Sequence, residues 1–84
     1  EGKTFEAVIS GVIARGVFVE VVENKCEGLV KAKDLPGDFY VHDQKNHSFV
    51  GERTGKKYQL GDKTKVVLIK ADQIKKRLDF QILS

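Results

Sequence analysis

Gly11-Val12-Ile13-Ala14-Arg15-Gly16-Val17-Phe18-Val19-Glu20 is the stretch on which the fold turns. It ends a segment, Lys3 to Ala14, that is rich in β-branched residues (Thr4, Val8, Ile9, Val12, Ile13). That segment carries neither a capping signal nor helical apolar spacing, and so predicts a long first strand. Gly11 lies inside it, where a glycine marks a bulge or a sharp bend, the device that turns a strand around a small barrel. Gly16 breaks the run. Val17 to Val22 then follows as a second strand, closed by the turn-like Glu23-Asn24-Lys25, and the two strands make a hairpin.

Further along, Cys26 to Val30 predicts a short third strand. Ala32 to Leu35 has room for one helical turn before Pro36-Gly37 ends it. Asp38 to Asp62 is polar and aromatic by turns, with glycines at 51, 55 and 61, and reads as an elaborated connection. Within it, 39–43, 48–52 and 56–59 are expected to be short extended pieces. Lys65 to Ala71 is apolar on both faces and predicts a central strand. Asp72 to Lys76 makes a turn, and Leu78, Phe80 and Ile82 alternate with polar residues as a half-buried last strand. The expected fold is all-β: a five-stranded Greek-key barrel of the OB type, elaborated between strands 3 and 4. The pattern alone also fits an SH3-like barrel.

Eighty-four residues, 40% of them hydrophobic, make one domain spanning 1–84, with enough apolar content for a core. The absence of an initial methionine and of a charged leader reads as a piece of a longer protein without a signal peptide. No stretch is long enough to span a membrane. The lone Cys26 cannot form an internal disulfide and suits a reducing, cytoplasmic compartment; it also excludes zinc held by cysteines. Lacking any spacing relation to a histidine, Cys26 reads as a buried small side chain. His42 and His47, five residues apart with no supporting third ligand, do not read as a metal site. Gly51 to Gly55 lacks the lysine and hydroxyl arrangement of a phosphate-cradling loop and reads as a hairpin turn.

Fifteen Lys and Arg against twelve Asp and Glu give a net charge of +3, compatible with an anionic partner without demanding one. The basic residues cluster at Lys31 with Lys33, at Lys56-Lys57, and at Lys75-Lys76-Arg77. Such clusters are also what ordinary solvated turns present.

The stretch quoted above, followed by Glu27-Gly28-Leu29-Val30-Lys31-Ala32-Lys33-Asp34-Leu35, resembles the first half of an S1 domain: a strand with an inner glycine, an aromatic-Gly-x-Phe-Val element, then Gly-Leu-Val-x-x-x-x-Leu. Leu60-Gly61-Asp62-Lys63, the Val-rich strand, Asp72, a basic turn and Leu-x-Phe-x-Ile are similar to that domain's end. Residues 47–62 and 38–43 resemble the insert of the ribonuclease R branch of the ribonuclease II family. The resemblance implies a module that holds single-stranded RNA and feeds its 3′ end to the catalytic domain of a 3′-5′ exoribonuclease. Metal-assisted hydrolysis, with Mg the expected ion, would lie in that other domain. The chain itself carries no clustered aspartates, so no cofactor and no catalysis are expected of it.

Sequence-tolerant binding of a single strand needs aromatic faces for bases and cations for phosphates. Phe18 matches the second aromatic of the S1 pattern and is the first stacking candidate. Arg15 stands where an aromatic usually precedes Gly16, and Lys31 where a histidine often follows Gly-Leu-Val, which shifts the expected binding toward phosphates and salt dependence. Lys33 lies beside Lys31. Asp72 with Lys76 and Arg77 corresponds to the acid and base that close the S1 surface. Tyr40 extends the platform in this reading, although aromatics in a long connection also serve as anchors to the barrel. A monomer is expected. The alternative function is a protein-docking module facing the parent's catalytic domain or the ribosome; autonomous nuclease activity is the remaining, disfavoured option.

Overall fold

A computed structural model describes residues 3–72, 74 and 77–83, of Arg77 the main chain alone. Among the described residues, eight strands and one short 3₁₀ turn follow in the order β1 (Thr4–Ile13), β2 (Gly16–Val21), β3 (Glu27–Lys31), the turn Ala32–Asp34, β4 (Tyr40–Asp43), β5 (Ser48–Gly51), β6 (Lys57–Gln59), β7 (Lys63–Asp72) and β8 (Arg77–Ile82). The fold is all-β. β1, β2, β3, β8 and β7 close into a five-stranded barrel, and β4, β5 and β6 form a separate antiparallel sheet inserted between β3 and β7. All barrel pairings are antiparallel except β3 with β8, the parallel seam of an OB barrel.

Alternation along each strand decides which side chains enter the barrel. Ala7, Ile9, Val17, Val19, Val21, Val30, Val66, Phe80 and Ile82 are all buried in one cluster. Leu35, Tyr40, Phe49 and Tyr58 of the connection and insert join that same cluster, so the inserted sheet shares the barrel's core. Burying such side chains contributes roughly 1.5–3 kcal/mol each, the main force holding the insert in place.

The glycine in strand 1 does mark a bulge. The register of β1 against β2 shifts between Ile9 and Gly11, with Ser10 the extra residue. The shift turns Ile9 inward and Gly11 outward, so that Val12 re-enters the core side. A second shift, between Leu68 and Lys70, lies in β7. β7 is central in pairing, lying between β1 and β8, but it is not covered on both faces as its composition suggested. Val66 is buried, whereas Ile69 is 45% exposed and Lys70 and Ala71 are exposed. A small closed barrel packs side chains on the inner face of β7 and leaves its outer face open to solvent.

Cys26 also departs from expectation: it is exposed. It sits in the β2–β3 turn, where its N–H donates to Asn24 Oδ1 at 3.0 Å and its C=O accepts from Val21 N–H at 2.8 Å. Turn geometry, rather than packing, places it there.

Candidate nucleic-acid interface

The outer face of β2 and β3 is built by the same alternation that fills the core. With Val17 and Val19 inside, Phe18 is directed outward and is half-buried. It pairs with Gly11 on β1 and Leu29 on β3, Leu29 pairs with Asp79 across the seam, and Asp79 pairs with Lys70. A single row therefore crosses five strands: Gly11, Phe18, Leu29, Asp79, Lys70. The Phe18 ring rests on the bare Cα of Gly11, since a Cβ there would lie 3.2 Å from Phe18 Cδ2. The ring is thus seated on β1, in space that a side chain at position 11 would take.

The charges on either side of this row are separated. Toward one end, Lys31 pairs with Gly16, and the preceding turn carries Arg15, whose carbonyl accepts Ala32 N–H at 2.9 Å. Lys33 follows, exposed, in the 3₁₀ turn. Toward the other end Glu20 pairs with Glu27, and Ser10 Oγ of the bulge donates to Glu27 Oε2 at 2.7 Å. Asp72 and Arg77 pair at that end as well, because β8 runs parallel to β3. Asp72 Oδ1 accepts Ile74 N–H at 3.1 Å and so caps the β7–β8 turn.

The structure thus gathers Arg15, Lys31 and Lys33 at one end of the Phe18 row and sets Asp72 and the Arg77 main chain at the other. Lys76 lies outside the described residues, as does the Arg77 side chain. Tyr40 needs correction. Its ring is in the core, only 9% exposed, with its hydroxyl donating to Pro36 O at 2.8 Å and its ring 5.2 Å from that of Tyr58. Burial raises the pKa of both phenols, and neither ring offers a face to a base. The outward aromatic of this segment is Phe39, 73% exposed. Two aromatics at positions 40 and 58, brought to one face by the pairings of β4 with β5 and β5 with β6, were the signal that Tyr40 is an anchor.

Asp38 organises the neighbourhood of Phe39. Its carboxylate accepts the N–H of Phe39 (2.7 Å), Arg53 (3.0 Å) and Thr54 (2.7 Å) and the Thr54 hydroxyl (2.8 Å), clipping the β5–β6 turn to the start of β4. The Thr54 amide above all, with the other donors, lowers its pKa from 3.8 to about 2. A lowered folded-state pKa means stability that is present above 3.8 and is lost as the pH falls toward about 2. Asp38→Asn is accordingly expected to lower the melting temperature at neutral pH by several degrees and to flatten its decline across that acid window. Parallel acid profiles for both proteins would remove Asp38 as the cause.

His42 stacks on Phe49 at 5.1 Å, and among the described residues no group of three or more His, Cys, Asp or Glu is arranged to hold a metal ion. No described helix is long and apolar enough to cross a membrane.

A closed OB barrel with a seated outward aromatic and flanking cations is the architecture of a single-strand-binding module. The S1 RNA binding domain family matches residues 1–83, and the chain belongs to that family. Within it, the chain is similar to the domain carried by ribonuclease R. It is 46% identical over 82 residues to ribonuclease R of Aquifex aeolicus and 34% identical over 83 residues to that of Escherichia coli. These alignments cover 98% and 99% of this chain but only 12% and 10% of those proteins. The solved structure of Mycoplasma genitalium RNase R in complex with ribose methylated single-stranded RNA superposes with a TM-score of 0.92 at 33% identity, covering 98% of this chain and 13% of that one.

Proposed function

We propose that this S1 domain holds single-stranded RNA on the face centred on Phe18 and delivers it to the catalytic domain of a ribonuclease R-type 3′-5′ exoribonuclease, without cleaving it. The observation that carries this reading is the outward Phe18 ring, half-buried against Gly11 and flanked on one side by Arg15 and Lys31. A base stacks on the free face of the ring while phosphates run past the cationic end. The Glu20–Glu27 pair disfavours phosphates beside the β2–β3 turn, which draws the strand toward Arg15 and Lys31. Like charges directly opposite across two strands are unfavourable for folding, and a role in orienting an anion gives that pair a use.

The test is a titration with a fluorescent single-stranded oligoribonucleotide over a series of salt concentrations. Binding is expected to weaken linearly on a log–log scale, and Arg15→Ala with Lys31→Ala to reduce the slope by about 0.7 for each cation removed. An unchanged slope in the double variant would place the phosphates elsewhere. A chain that binds no RNA at low salt would favour docking on a protein partner instead.

A further inference from the structure

Phe39 has an exposed ring on a main chain that is held from both sides. Its N–H donates to Asp38 Oδ1 at 2.7 Å, and its carbonyl accepts Glu52 N–H at 2.8 Å. Its ring is a large apolar group left 73% exposed above that held main chain. It lines a recess of about 210 Å³ together with Ala32, Lys33, Asp38 and Tyr40. The chain itself connects this recess to the Phe18 row, because β3 leads from Leu29 through Lys31 directly into the 3₁₀ turn that carries Lys33.

We infer that the recess between Phe39 and Lys33 is a second nucleotide subsite, in which Phe39 stacks a base of the same RNA strand and Lys33 meets its phosphate. The inference rests on the RNA-holding reading above and extends the site from the barrel onto the insert. Charge complementarity favours a nucleotide as the occupant: Arg15, Lys31 and Lys33 follow one another toward the recess. The one carboxylate on its wall, Asp38, stays ionised, with its oxygens engaged by the Phe39, Arg53 and Thr54 amides and the Thr54 hydroxyl, so a phosphate must be met on the Lys33 side of the recess. The main chain at Phe39 is already held by its two hydrogen bonds, so only the side-chain rotamer is ordered on stacking.

The subsite makes affinity depend on RNA length. Oligoribonucleotides from about 4 to about 16 nucleotides bracket the span of an OB barrel. The 84-residue chain, Phe39→Ala, Phe39→Tyr and Phe39→Leu would be titrated with that series, with thermal melts confirming that each variant is folded. The shortest oligomers are expected to bind the wild type and Phe39→Ala alike. The longest are expected to lose about five- to tenfold in Phe39→Ala, to regain it in Phe39→Tyr and not in Phe39→Leu. Phe18-dependent binding that is indifferent to Phe39 at every length would overturn the subsite alone and leave Phe39 to a protein partner. Full affinity in Phe39→Leu would overturn stacking. Absence of RNA binding by the wild type would remove the RNA-holding reading and the subsite together.

Discussion

Phe18→Ala is expected to weaken single-stranded RNA binding by between about fivefold and about a hundredfold while leaving the barrel folded. The range follows from the roughly 1–3 kcal/mol that one stacked base contributes by alanine substitution. Stability should fall far less than for a core ring, because Phe18 lies outside the barrel, against Gly11, and is only half-buried. Phe80→Ala provides the contrast, since that ring is 2% exposed inside the barrel and its truncation should cost roughly 3–5 kcal/mol of folding free energy. Phe18→Tyr retains a π-face and should bind nearly as wild type; Phe18→Leu retains bulk without the face and should not. Fluorescence titration of all three, with melting curves alongside, reads the two effects separately. Undiminished binding by a folded Phe18→Ala protein would sink the proposed site. A large drop in melting temperature would instead make Phe18 a structural residue.

The barrel strands were legible in the sequence because each declares itself by a local pattern. β2 alternates around Phe18, β8 alternates around Phe80, and the glycine within β1 coincides with a bulge one residue away. Strand ends shift by one or two residues, and even the short pieces of the insert fall where their β-branched and aromatic residues suggested. The orientation of the insert's aromatics depended on more. Whether Phe39 or Tyr40 faces out is decided by Tyr58, which lies on a strand two removed in the sheet, and by the hydroxyl's bond to Pro36. Composition likewise could not place Ile69, because its exposure follows from the register shift in β7 and not from its neighbours in sequence. The charged clusters were visible from the outset. That Lys31 lies at one end of the Phe18 row and Asp72 with the start of β8 at the other depends on the parallel seam between β3 and β8, a long-range pairing with no local signal.

That seam supplies the other large effect. Gly28→Ala is expected to destabilise the domain by about 3 kcal/mol, the upper end of the usual overpacking range. Gly28 is buried and pairs with inward-facing Val19, so an added methyl would point into the barrel. There it would lie 2.5 Å from Phe80 Cδ2 and Cε2 and 2.6 Å from the Leu78 carbonyl oxygen. Rotating the Phe80 ring cannot relieve the second clash, because Leu78 O belongs to the main chain of β8. The strands must part where the barrel closes, at the pairing of Leu29 with Asp79. An 84-residue domain has of order 4–12 kcal/mol of total stability, so the loss should appear as a fall of roughly 12 °C or more in melting temperature. Because Leu29 and Asp79 continue the Phe18 row, the same parting should weaken RNA binding even at temperatures where Gly28→Ala remains folded. Adding Phe80→Leu to Gly28→Ala should return part of the stability by freeing the space the methyl needs, which makes the two substitutions non-additive. Denaturant unfolding of the four proteins of that cycle gives the answer: a Gly28→Ala domain within about 0.5 kcal/mol of wild type would show that the seam tolerates a methyl and that closure does not depend on the bare backbone at Gly28.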